Sequence, residues 1–144
     1  FARRVLVGVS EGRNPQTFRV GGFSTLRGYD DYRLAGSRVA ITSLELRFPF
    51  IRQLGVVGPV PLGVFNLKGA LFADAGLHWN QGYSPRVSRV GADGVRRLQD
   101  LRFDFGTGIR SWVWFLLLKY DVAWRWDLDH TSEPVWQFSI GPEF

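Results

Sequence analysis

Residues 136–144 read WQFSIGPEF. Trp136, Phe138 and Ile140 are large and apolar at every second place, and Gln137, Ser139 and Gly141 between them are small or polar. That alternation describes a strand with one oily face and one wet face. A domain in water covers such a face with a second layer of structure. Here the same pattern returns along the chain with no helical periodicity to supply the cover, which points to lipid as the cover.

Five earlier segments repeat it. Residues 3–10 put Val5, Val7 and Val9 on one face. Residues 39–48 set Thr42, Leu44, Leu46 and Phe48 against Ser43, Glu45 and Arg47, and residues 64–75 set Leu67, Leu71 and Ala73 against Lys68 and Asp74. In residues 100–109, Leu101, Phe103, Phe105, Thr107 and Ile109 alternate with Asp100, Arg102 and Asp104. In residues 115–127, Leu118, Tyr120, Val122, Trp124 and Trp126 alternate with Lys119, Asp121, Ala123, Arg125 and Asp127. Lengths near ten residues suit tilted membrane strands.

The chain of 144 residues suits one domain, and with 45% hydrophobic and 15% aromatic residues it is too rich for disorder. No apolar run approaches the roughly 20 residues of a membrane-spanning helix. Mean hydropathy is −0.06, as expected when half of each strand meets lipid and half meets water. With no cysteine, neither a disulfide framework nor a thiolate metal site can form. No signal peptide is visible in FARRVLVGVS, which already alternates like a strand, so the chain reads as a mature fragment.

Charge pointing at mid-bilayer lipid costs about 2–4 kcal/mol. The acids Glu45, Asp74, Asp100, Asp104, Asp121 and Asp127 and the bases Arg47, Lys68, Arg102, Arg110, Lys119 and Arg125 are therefore expected to face a hydrated lumen. The competing arrangement, a soluble ligand-binding barrel with its charges outward, has to pack Tyr120, Trp124, Trp126 and the phenylalanines inside a small closed barrel. Connections at residues 11–38 and 77–99 are long, 111–114 is tight, and 51–63 is rich in Gly and Pro. The expected fold is all-β, an antiparallel transmembrane barrel. Six strands are too few to close one, since single-chain bacterial barrels begin at about eight.

Within the first long connection stands VGGFSTLRGYDDYRLAG, residues 20–36, followed by AITSLELRFPF (40–50), ALFADAG (70–76), FDFGTGIR (103–110) and the ending QFSIGPEF. In this order the pieces resemble the C-terminal barrel region of the BamA/TamA outer-membrane assembly family, the bacterial surface antigen family, to which two-partner secretion transporters are related. The resemblance covers nearly the whole chain. It implies a barrel of about sixteen strands, of which residues 1–144 are the C-terminal part. Residues 11–38 would be a loop folded into the lumen and residues 136–144 the strand at the barrel seam. It also implies that the tip Arg27, Gly28 and Tyr29 is anchored on the inner wall by Glu45 and Asp74. An arginine forks to carboxylates with parallel hydrogen bonds, and Gly28 is expected to let the backbone turn beside it. The alternative for this tip is a surface turn with an exposed arginine. Trp136, Phe138, Ile140, Gly141 and the terminal Phe144 would form the seam strand, where Gly141 and Pro142 suit an edge or, equally, a frayed end.

Other signals are weaker. Gly8-Val9-Ser10-Glu11-Gly12 matches G-x-S-x-G, but that motif needs a strand–turn–helix context and a polar loop follows. His78 and His130 lack metal-ligand spacing. The net charge of +5 and the crowding of Arg86, Arg89, Arg96 and Arg97 suggest nucleic acid, yet no module for it surrounds them. The sequence therefore points to a non-enzymatic protein without cofactors. The resemblance implies a place in the outer membrane of a diderm bacterium, with an organelle outer membrane the less favoured site. The protein would insert, assemble or translocate polypeptides there. Expected partners are outer-membrane lipid and lipopolysaccharide, unfolded barrel or secreted polypeptides, and periplasmic accessory proteins. The alternatives are a secretion transporter and a barrel anchoring a fused passenger. Upstream POTRA repeats would favour assembly or secretion, and a hydrolase domain would favour the anchor.

Overall fold

The alternating segments become strands of a single antiparallel sheet. The computed structural model describes residues 1–30, 34–54, 64–113 and 116–141. Among these every regular element is a strand: β1 (Ala2–Val9), β2 (Phe18–Val20), β3 (Leu34–Gly36), β4 (Arg38–Leu54), β5 (Val64–Trp79), β6 (Ser88–Val90), β7 (Arg96–Leu98), β8 (Leu101–Val113), β9 (Leu116–Arg125) and β10 (Val135–Gly141). The large sheet runs β1-β4-β5-β8-β9-β10, each strand antiparallel to its neighbour, while β2-β3 and β6-β7 form two small ribbons within the long connections.

Several boundaries move from their sequence positions. β4 and β5 pair with each other from Arg38↔Trp79 to Leu54↔Val64, so both outrun their alternating cores. The ladder supplies backbone partners where side-chain alternation has lapsed. Pro49 stands opposite Lys68 in the β4–β5 ladder. A register shift follows it between Pro49 and Ile51. The Gly/Pro-rich connection thus shortens to 55–63, which lies outside the described residues. Ser111, expected in a tight turn, continues β8. Asp100 and Asp127 leave their strands for adjoining loops. The C-terminal strand starts one residue early, at Val135, and Phe144 lies outside the described residues.

The two faces of the sheet are reversed relative to a domain in water. The charged face is the covered one: Ser43 and Glu45 on β4, Asp74 on β5, Asp104 and Arg110 on β8, and Lys119 and Asp121 on β9 are all buried. The apolar face is bare, and Trp136, Phe138 and Ile140 on β10 are 59%, 61% and 54% exposed. Val5 and Val7 on β1, Leu44 and Leu46 on β4, Leu71 on β5, Phe105 and Ile109 on β8 and Tyr120 on β9 continue that bare face across the sheet. Its rings pack on one another, Phe105 with Trp124 at 6.0 Å and Tyr120 with Trp136 at 5.6 Å between centroids. Among the described residues a compact apolar cluster, Val20, Leu26, Val39 and Ile41 flanked by Phe18, Tyr29 and Leu34, lies where the first long connection meets the covered face.

Candidate functional site: a loop seated on a charged wall

What covers the charged face is the segment 21–29, folded on itself. The Gly22 amide donates to the carbonyls of Leu26 (3.1 Å) and Tyr29 (2.8 Å), the Tyr29 amide to Leu26 (3.1 Å), and the Gly21 amide to the Thr25 hydroxyl (2.7 Å). Gly22 takes a φ of 83°, in the left-handed region that favours glycine. Leu26 is fully buried, and its Cδ1 lies 2.8 Å from where a Cβ on Gly76 would stand, so the glycine of ADAG makes the seat for this leucine.

The seated loop touches every strand of the large sheet. Arg4 on β1 donates to the Ser24 carbonyl. Arg27 donates from Nη1 to Glu45 Oε2 on β4 at 2.7 Å and from Nε to Asp74 Oδ2 on β5 at 3.0 Å. Its Nη1 also stands 3.6 Å from Asp121 Oδ2 on β9, and its guanidinium lies 3.8 Å from the centre of the Phe72 ring. Gly28 abuts Asp104 on β8. Lys119 lies over the Phe23 ring and Arg125 over the Tyr29 ring, at 5.1 and 5.5 Å. On β10 the Gln137 side-chain amide approaches the Tyr29 carbonyl at 3.5 Å.

The arginine is held inside a network and is not a lone pair. Arg110 binds Asp121 through both terminal nitrogens and reaches Glu45 at 3.4 Å, and Arg47 donates to Glu45 Oε1 at 2.7 Å. The Arg27 side chain is 9% exposed and those of Glu45 and Asp74 are 7% and 0%. Charge-assisted bonds of this kind, removed from water, are the strong class. Of the residues singled out in the sequence, Arg27, Glu45 and Asp74 come together. Tyr29 instead packs against the apolar cluster of Val20, Leu26, Val39 and Ile41, with Arg125 over its ring. Gly28 lies in the expected turn, closed by the Tyr29 amide on the Leu26 carbonyl, though without a positive φ, and its lack of a side chain matters because a Cβ would come within 2.6 Å of Asp104 Cβ. Asp104, Arg110 and Asp121 belong to the same cluster as Arg27 and were legible only as wall charges. Alternation placed them on the correct face without showing that the loop reaches them.

The seam residues Trp136, Phe138, Ile140 and Gly141 stand on β10, which pairs only with β9 among the described residues, Phe138 opposite Tyr120 and Ile140 opposite Leu118. A cavity of about 670 Å³ is bordered both by Ala2, Arg3 and Arg4 of β1 and by Ser139, Ile140 and Gly141 of β10, so the sheet curls until its two edges face one space. The weaker motif resolves differently. β1 ends at Val9, the Ser10 hydroxyl accepts the Gln16 amide at 2.8 Å, and the next element is the strand β2. The helix that a nucleophile elbow requires is absent there. Arg97 in the basic connection is bound to Asp93 and Asp129 at 2.8 and 2.9 Å. Among the described residues no group of three or more His, Asp or Glu side chains could hold a metal ion.

Neither a curated protein nor a solved structure matches the chain. One family does match: the Omp85 superfamily domain, over residues 5–144.

Proposed function

The chain belongs to the Omp85 superfamily, whose members are outer-membrane proteins, and on that premise we propose that it forms six strands of a larger transmembrane barrel that inserts or translocates polypeptides at the outer membrane. The single observation that carries this reading is the reversed sheet, with its charges covered by its own loop and its aromatic and aliphatic face bare. In water a bare face of that extent invites association. In lipid it is the natural exterior of a barrel wall, and the charged side becomes the lumen.

In this reading the loop is a latch. Seated, it occupies the lumen through Arg27, whose guanidinium spans Glu45, Asp74 and Asp121. Through its contacts with all six strands it also braces the inner face of the wall, so that losing the seated loop disturbs the wall on which insertion depends. If the seam at β10 opens in the complete barrel, its edge offers backbone groups to an incoming strand, the chemistry of β-augmentation. The work is non-covalent. Partners are outer-membrane lipid with lipopolysaccharide, unfolded polypeptides, and periplasmic accessory proteins upstream of the barrel.

The test is Arg27→Ala in the full-length protein reconstituted in lipid vesicles. The variant is expected to fold, shown by heat-sensitive electrophoretic mobility of the barrel, and to lose most of its insertion of a β-barrel substrate. Undiminished insertion would sink the latch.

A further inference from the structure

Asp74 and Asp104 are direct cross-strand partners in the β5–β8 ladder, and both side chains stand on the covered face with no exposed surface. Partners on one face of an antiparallel pair hold their Cβ atoms about 4.5–5.5 Å apart, and like charges so placed repel. Asp74 meets Arg27 through Oδ2, while its Oδ1 is buried without a hydrogen bond. Both oxygens of Asp104 are buried and unbonded as well. The Gly28 amide faces Asp104 and the Ser43 hydroxyl faces Asp74 without completing well-formed hydrogen bonds, so an ionised carboxylate there is short of the donors that make its burial tolerable.

The surrounding charges do not repair this. The loop presents Arg27 and Tyr29, β4 presents Glu45 and Arg47, and β5 presents His78. From β8 come Arg102 and Arg110, and from β9 Lys119, Asp121 and Arg125. Arg27, Arg47 and Arg110 are engaged with Glu45, Asp74 and Asp121. Arg125, opposite Asp104 in the β8–β9 ladder, carries its guanidinium toward the Tyr29 ring.

We infer that Asp74 and Asp104 share one proton while the loop is seated, so that Asp104 is a positioning residue that couples release of the loop to loss of that proton. The inference rests on the latch reading and adds its regulation. Two carboxylates in one site do not both ionise readily. A single proton turns one of them into a donor, so that Asp104 bonds Asp74 Oδ1 while Oδ2 stays turned to Arg27. The seated state then holds one proton more than the released state, where water solvates both carboxylates and both ionise at neutral pH. Raising the pH through the titration of the pair therefore weakens seating, by up to about tenfold per pH unit for one linked proton. At the acid end, protonation of Glu45 and Asp74 removes the partners of Arg27, so seating is strongest between the two limits.

The experiment uses the full-length barrel in detergent and follows amide hydrogen exchange of residues 21–29, corrected for the intrinsic pH dependence of exchange. Wild-type protection is expected to fall with rising pH. Asp104→Asn, whose amide can donate where the acid's O–H does, should keep the loop protected at neutral pH and flatten the profile. Infrared difference spectra of the unmodified protein provide a second readout that does not depend on how a variant folds. A protonated-carboxyl band should be present at neutral pH and vanish in step with protection. Absence of that band, or an equal pH slope in wild type and Asp104→Asn, overturns the shared proton. Unchanged protection in Arg27→Ala would instead overturn the latch itself, and the infrared band would still decide on the proton.

Discussion

Arg27 is where the chemistry of one side chain decides most. Its planar fork reaches carboxylates on three different strands, Glu45 at 2.7 Å, Asp74 at 3.0 Å and Asp121 at 3.6 Å. A lysine would keep the charge but offer one compact ammonium in place of that fork. Removing one partner of a buried charge cluster typically costs about 3–5 kcal/mol. Arg27→Ala is therefore expected to expose the loop strongly, and Arg27→Lys to give an intermediate loss. Limited proteolysis of the loop in the folded barrel measures both. Gly28 gives a second expectation at this scale. A methyl group there meets Asp104 Cβ at 2.6 Å, so Gly28→Ala should displace the loop although Arg27 is intact. Protection equal to wild type in Gly28→Ala would show that the loop is not seated against β8.

At the scale of elements, the ease of reading followed the length of the alternation. β9 carries five apolar residues at strict period two and β8 four with Thr107 among them, and Phe103, Phe105, Tyr120, Val122, Trp124 and Phe138 fall on the one face that the alternation groups them on. β2, β3, β6 and β7 are three residues each, too short for a period to register, and they are fixed by the loops that contain them. The ends of β4 and β5 were illegible because the ladder between them, and not alternation, sets their length. The reversed wall gives a direct expectation. Phe105→Arg puts a charge on the bare face, at a cost of about 2–4 kcal/mol if that face lies at mid-bilayer depth. Folding yield into lipid vesicles should drop for Phe105→Arg and change little for Asp93→Asn in the β6–β7 ribbon. The ribbon itself should respond to acid. The hydrogen bond from Arg97 holds the Asp93 carboxyl below its ordinary range, and the backbone amide of His130 does the same for Asp127. Groups with lowered folded values contribute stability that is complete above the unfolded range near pH 4 and is lost as pH falls through the folded values. Protection of the Leu98 amide, which bonds the Asp127 carbonyl at 2.9 Å, should be constant from about pH 5 to 8 once exchange is corrected for its intrinsic pH dependence, and fall only in stronger acid.

For the whole molecule the informative feature is what the sheet leaves unpaired. β1 pairs only with β4 and β10 only with β9 among the described residues, and both edges border the same cavity of about 670 Å³. In a complete barrel each edge would meet a further strand. Trp136, Phe138 and Ile140 would then face lipid while Gln137 and Ser139 face the lumen. A wall whose strands are all permanently paired has no edge to lend, whereas a seam that opens presents a row of backbone donors and acceptors to a substrate strand. The two mechanisms separate on one covalent bond. The chain contains no cysteine, so a single engineered pair, one on β10 and one on the strand that closes the full barrel against it, forms without competition. Strands in a ladder lie about 4.7–4.9 Å apart, within reach of a disulfide between suitably paired positions. Locked this way, the full-length barrel is expected to fold and keep its loop seated, yet to stop inserting barrel substrates until the disulfide is reduced. Wild-type insertion with the disulfide quantitatively formed would mean that substrates never use this edge, and would move the work to the lumen that the Arg27 loop closes.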